Sequence, residues 1–107
     1  MRRSKPTAEA SLTRAIRGLL NSLNVFHWKN HGGPMGAKGI SDILGCYHGR
    51  MLAVEVKAPN GKVSEDQQRF IDNINAAGGL AFVAKDIETV IEQLGVKDRF
   101  LQFRVKP

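Results

Sequence analysis

Apolar residues along the chain fall into two rhythms, one helical and one of strands. Leu12, Ile16, Leu19, Leu20 and Leu23 recur at helical spacing, and Thr7 stands before them as an N-cap. Val25 to Asn30 predicts a first strand, with Phe26 and Trp28 on one side and His27 and Lys29 on the other; Trp28 is assigned to the core. Ile43 to Cys46 and Met51 to Val56 are rich in β-formers, and His48-Gly49 between them reads as a two-residue turn. Both sides of that hairpin are apolar, Leu44 and Ala53 on one and Ile43, Val54 and Val56 on the other, so its strands are expected to be covered on both faces. Cys46 alternates with Leu44 and is expected as a small core residue. A second helix follows the turn Ala58 to Gly61, capped by Ser64 and carrying Gln67, Phe70, Ile71, Ile74 and Ala77 on one stripe. Gly78-Gly79 ends it, and Leu80 to Ala84 is a continuous apolar run expected to pair in parallel. Asp86 caps a third helix with stripe Ile87, Val90, Ile91 and Leu94, closed by Gly95. Leu101, Phe103 and Val105 then alternate with polar residues, predicting a last strand over 96–107 at a sheet edge or against a partner chain. The order αβββαβα plus a strand predicts one α/β domain, a mixed central sheet with helices on both faces.

The hairpin carries the candidate chemistry. With His48-Gly49 as its turn, residues whose numbers sum to 97 face each other, which puts Asp42 opposite Glu55. Directly opposed side chains have Cβ atoms about 4.5–5.5 Å apart, so both carboxylates can reach one cation. Glu55 and Lys57, two residues apart, point the same way. Two carboxylates so close repel, and one takes up a proton unless a cation compensates them. An oxygen-only pair suits Mg²⁺ or Mn²⁺, and a lysine beside it can orient a water or steady a phosphate. The same D-(x12)-E-x-K spacing also fits an ordinary cross-strand carboxylate pair neutralised by lysine.

Glu9 lies three residues before Leu12 and seven before Ile16, which predicts a carboxylate on the buried stripe of the first helix. Such a group needs a partner; stabilisation by the helix N-terminus is the alternative. Gln67 sits in a capping-box position and also begins an inward stripe, so capping and site roles are both open. His31 to Gly39 is too glycine-rich for regular structure and is expected as a mobile flap leading into Asp42, with Lys38 placed to meet a phosphate. His27, His31 and His48 lack zinc-ligand spacing.

Length and charge narrow the function classes. The chain of 107 residues makes one small domain, residues 1–6 forming a basic tail. A formal charge of +6 points to a polyanionic partner. Its cations are dispersed, which suits following a phosphate backbone better than reading one sequence; Arg14, Lys29, Lys38 and Lys62 are the candidate contacts. The lone Cys46 excludes an internal disulfide and a thiolate metal site. No apolar run is long enough to span a bilayer and no signal peptide begins the chain, so a cytoplasmic protein is expected.

Gly39-Ile40-Ser41-Asp42, then Glu55-Val56-Lys57, then Gly61, Ser64 and Gln67 as G-x-x-S-x-x-Q, then Ala77-Gly78-Gly79 before an apolar strand, resembles a VRR-NUC domain. That family belongs to the PD-(D/E)xK nuclease superfamily, and the resemblance runs from Thr7 to Leu94, as in a stand-alone phage-type protein. It departs at Ser41, where many members have proline, a position that shapes the turn more than the chemistry. The resemblance implies a restriction-endonuclease-like αβββαβ core and a Mg²⁺- or Mn²⁺-dependent endonuclease that hydrolyses DNA phosphodiesters. By the same resemblance Glu9, Asp42, Glu55 and the Val56 carbonyl hold the metal, Lys57 handles the attacking water, and Gln67 lies beside the lysine. Stand-alone members are associated with branched DNA such as four-way (Holliday) junctions, which implies two symmetrical cuts and a homodimer. The alternatives are a flap or sequence-specific nuclease on the same fold, and a DNA-binding module without catalysis.

Overall fold

A computed structural model of the chain describes residues 7–32 and 38–97. Along it run α1 (Ala8–Ser22), β1 (His27–Lys29), β2 (Ile43–Tyr47), β3 (Arg50–Val56), α2 (Glu65–Ala76), β4 (Leu80–Ala84) and α3 (Ile87–Leu94). The strands form one sheet in the order β1-β2-β3-β4; β1, β2 and β3 are antiparallel neighbours, and β4 joins β3 in parallel through the α2 crossover. This is the α/β mixed sheet with helices on both faces that the apolar pattern predicts. The expected last strand falls mostly on residues 98–107, and the centre of the expected flap on 33–37, both outside the described residues. No helix among the described residues is long and apolar enough to cross a membrane.

Local chemistry sets the element boundaries. His48 and Gly49 both have positive φ, 50° and 79°, as a two-residue hairpin turn requires. The resulting register pairs Ile43 with Val54 and Tyr47 with Arg50, the predicted sum of 97. Thr7, Ser64 and Asp86 cap the three helices with their side chains, and Gly95 closes α3 in the left-handed conformation.

The two sheet faces are covered unequally. On one, Ile43, Val54, Val56 and Phe82 pack with Ile16 and Leu20 of α1 and Val90 of α3 into a continuous core. On the other, α2 rests over β3 and β4, where Ile71 meets Leu44, Ala53 and Ala81 in a small cluster. The α2 side of β1 and the hairpin is therefore largely bare. Trp28 is 41% exposed and Phe26 70%, their rings 5.8 Å apart, and Cys46 also faces solvent. The expected core placement of Trp28 and Cys46 is thus corrected: period-two alternation puts them on the sheet face, but α2 does not extend over them. Strand β1 is also shorter than the predicted stretch of Val25 to Asn30, covering His27–Lys29.

Candidate active site

Asp42 and Glu55 meet at the end of the central hairpin. Asp42 directly precedes β2, and its Oδ2 accepts the Val56 backbone N–H at 2.8 Å, so a side chain takes the place of a strand carbonyl where the ladder ends. Its own carbonyl accepts the Asn30 N–H at 2.7 Å, which ties the same residue to the strand on its other side. Held from both sides, the Asp42 carboxylate is fixed against the last turn of the ladder, beside Glu55.

Glu55 is the chemically unusual group. It is only 2% exposed, yet among the described residues its Oε1 has no hydrogen-bond partner. Its Oε2 accepts from Gln67 Nε2 at 3.2 Å and lies 3.8 Å from the Lys57 ammonium. Burial above all, then the adjoining Asp42 carboxylate, with which only a protonated Glu55 can share a hydrogen bond, push its carboxyl up to about 8; Lys57 pulls the other way and Glu9 adds to the rise. A buried carboxylate with a bare oxygen beside a second carboxylate is costly unless a cation or a proton compensates it. The donor set is all oxygen, and a hard divalent cation fits it.

Gln67 closes the helix cap and also touches Glu55. Its Oε1 accepts the Ser64 N–H at 2.9 Å while Ser64 Oγ accepts the Gln67 N–H, completing a capping box. The other end of the same amide donates to Glu55. The helix cap thus fixes the side chain that orients the carboxylate.

The approach to Asp42 is clamped by a glycine. Gly39 has φ +80°, and a Cβ built there would stand 2.4 Å from the backbone carbonyl of Asp66 in the first turn of α2. Only glycine lets the Gly39-Ile40-Ser41-Asp42 segment lie this close to the turn that carries Gln67. Nothing in the spacing of the sequence signalled this contact, because it joins segments distant along the chain. Beside Asp42, Ser41 is fully buried and its hydroxyl has no partner among the described residues.

Glu9 corrects an expectation. It is exposed, and the buried stripe of α1 begins one turn later with Thr13, followed by Ile16 and Leu20. The first turn continues the stripe, but none of the described elements is packed over it. Glu9 nevertheless acts on Glu55 through its charge. Among the described residues no three His, Cys, Asp or Glu side chains converge closely enough to hold a metal by themselves; the ladder brings together the pair Asp42 and Glu55.

The candidate DNA contacts divide. Arg14 and Lys29 line one groove of about 550 Å³ between α1 and β1, together with Arg17, which the sequence reading did not single out. The polar residues at 14, 17 and 21, on the side of α1 away from its apolar stripe, were the available signal. Lys38 and Lys62 are exposed and do not line that groove.

The family model of the VRR-NUC domain matches residues 11–86, which spans the groove, the hairpin and the helix that carries Gln67. A solved structure described as a VRR-NUC domain protein superposes with a TM-score of 0.61 at 20% identity, covering 92% of this chain and 91% of that one. No curated protein matches the chain.

Proposed function

The chain belongs to the VRR-NUC family, a nuclease-type domain, and from that premise we propose that it is a metal-dependent DNA endonuclease with Asp42, Glu55 and Lys57 at its centre. The observation that carries the reading is the bare, buried Oε1 of Glu55, held beside Asp42 and raised in pKa to about 8. A structural carboxylate at this depth would be fully hydrogen-bonded. This one is aimed and incompletely satisfied, as a ligand is before its cation arrives.

Asp42 and Glu55 would hold Mg²⁺ or Mn²⁺, with the Val56 carbonyl as a further ligand by family resemblance; Glu9, the other ligand that resemblance implies, does not converge with the pair here and adds its charge to the site. When bound, the cation supplies charge compensation for the two carboxylates and for the phosphate, and makes a coordinated water more acidic. The chain's own groups do the rest. The Val56 N–H holds the Asp42 carboxylate in place. Gln67 donates to Glu55 Oε2 and leaves Oε1 free to face the ligand. Lys57, 3.8 Å from the same Oε2, orients the attacking water and steadies negative charge on the phosphate. The water oxygen bonds to phosphorus as the bond to the 3′ oxygen breaks.

Structure-selective cleavage of branched DNA by a homodimer is the finer reading, supported by the family resemblance and by dispersed cations that suit backbone contacts. The test incubates the protein with labelled four-way junction, flap and linear duplex in Mg²⁺, Mn²⁺ or EDTA, beside Lys57→Ala. Cuts that need metal and vanish in the variant support the nuclease, and a preference for the junction supports the finer reading. Binding to all three without any cut would leave a DNA-binding module and remove the catalytic assignment.

A further inference from the structure

The groove between α1 and β1 is separate from the carboxylate pair and has its own chemistry. Arg14, Arg17 and Lys29 line it, with Thr13 and Asn21 as neutral polar partners, and among the described residues no acidic one contributes to its wall. Residues 14, 17 and 21 follow one another at three- and four-residue steps, so they form one ridge along α1. Lys29 reaches the groove from β1 because it alternates with Trp28 and faces the α1 side of the sheet.

The groove is also open where the helix need not be. Gly18 lies inside α1, where glycine costs about 1 kcal/mol relative to alanine. No packing demands it: beyond its own stretch of helix, a Cβ there would meet no described atom within 4 Å, and its φ is not left-handed. A side chain at 18 would instead occupy the groove that Gly18 lines. Arg17 is further held in place, since its Nε donates to His27 Nε2 at 3.4 Å while His27 Nδ1 pairs with the Val25 carbonyl at 2.9 Å.

We propose that this groove seats the phosphodiester backbone of a double-stranded arm of the substrate. The proposal rests on the nuclease reading for the identity of the polyanion and goes beyond it in assigning the binding surface. The ridge leads away from Glu9, whose charge acts on Glu55. At a helical rise of about 1.5 Å per residue, Arg14 and Arg17 lie about 7.5 and about 12 Å beyond Glu9 along the axis. One strand of a duplex carries a charge about every 3.4 Å of its axis, so the two arginines, about 4.5 Å apart along the helix, are spaced to meet neighbouring phosphates of one strand. Contacts of this kind position the duplex without reading its sequence.

The experiment measures binding of a fluorescent duplex of about 20 base pairs in EDTA over a range of salt concentrations, so that cleavage plays no part. Each phosphate contact contributes about 0.9 to the slope of log affinity against log salt. Arg14→Gln with Arg17→Gln is expected to reduce the slope by about 1.8, and Lys29→Gln alone by about 0.9. Gly18→Glu is expected to weaken binding at least tenfold at low salt, and its melting temperature serves as the folding check because no atom lies near the new Cβ. Lys85→Gln with Lys97→Gln removes the same charge from exposed positions outside the groove. A slope lowered as much by that control as by the arginine pair would overturn the proposal, as would an unchanged slope in the groove variants. A protein that cuts DNA but shows no groove effect would lose this inference and keep the nuclease reading; groove-dependent binding without any cut would do the reverse.

Discussion

The two faces of the sheet are built to different standards. On the α1 and α3 side, Ile16, Leu20, Ile43, Leu52, Val54 and Val56 are essentially without exposed surface and touch one another in a single cluster. On the α2 side the cluster shrinks to Leu44, Ala53, Ile71 and Ala81, and along the same face lie a buried carboxylate with a bare oxygen and two exposed aromatic rings. One face carries the hydrophobic stabilisation. The other tolerates an incompletely satisfied carboxyl group at the end of β3 because the first supplies the stability to hold it there. Strand β3 shows the division within one element: Val54 and Val56 point into the large core, while Glu55 between them points at Gln67.

If that division holds, damage to the two faces is separable. Lys57→Ala is expected to lower cleavage by about 10³–10⁴-fold, the upper range for one positioned acid–base or charge-stabilising group, with a smaller loss of melting temperature than a core truncation, because among the described residues the one ion pair of its ammonium is the 3.8 Å contact with Glu55, which can take up a proton instead. Leu20→Ala, in the large cluster, is expected to cost about 2–5 kcal/mol of stability. Its cleavage per folded molecule should remain near that of the parent. Paired thermal melts and single-turnover cleavage on both variants decide this. Equal stability losses would mean that the faces are not divided.

Gly39→Ala attacks the junction between the two. The new Cβ would enter the Asp66 backbone at 2.4 Å with a positive φ, so the loop must move away from α2. A loss of a few kcal/mol in chemical denaturation is expected, together with a fall in cleavage among the molecules still folded, since Asp42 would shift relative to Gln67. Full cleavage per folded molecule would show that the clamp serves stability alone.

Glu55 gives the comparison a pH axis. Its folded carboxyl titrates near 8, above the ordinary value of 4.5. The protonated form is therefore the one that folding favours: the associated stability is complete below about 4.5 and is lost as pH rises towards about 8. Without divalent cation, stability should fall by up to about 1.4 kcal/mol per pH unit in that window, as linkage requires. Glu55→Gln should flatten this dependence, and at pH 8 in EDTA it should be at least as stable as the parent while cutting no DNA. Mn²⁺ should raise the parent's melting temperature more at pH 8 than at pH 6, because binding displaces the proton. A parent melting temperature independent of pH in EDTA would contradict the burial of an unsatisfied carboxyl.

Much of this division was legible in the chain, and the missing parts share one cause. The register of the hairpin, and with it the meeting of Asp42 and Glu55, followed from the turn His48-Gly49 and the period of two. The caps at Thr7, Ser64 and Asp86 followed from residue type and spacing. What escaped depended on how far one element extends over another. Alternation places Trp28 and Cys46 on the α2 face, but no local pattern tells where α2 stops, so a core position is expected for two residues that face solvent. Glu9 was misplaced for the same reason, its stripe running past the end of the surface that buries it. The Gly39 contact and the groove around Gly18 are likewise tertiary, and a glycine in a sequence does not say which neighbour it accommodates.

The smallest expected effect is the most discriminating, because Gln67 serves both the helix cap and the site. Gln67→Ala removes the acceptor of the Ser64 N–H and the donor to Glu55 together, at a cost of about 1 kcal/mol for the cap. Gln67→Glu separates the roles. A glutamate in this position also completes a capping box, so the acceptor for Ser64 is kept, but its other oxygen faces Glu55 as a second acceptor instead of a donor. The Glu variant should melt close to the parent at pH 5, where carboxyls are readily protonated, and below it at pH 8 in EDTA, where charge accumulates beside Glu55. Its cleavage should fall as far as that of the Ala variant or further. If the Glu variant cuts DNA as well as the parent, the amide bond to Glu55 is incidental, and Gln67 belongs to the helix and not to the site.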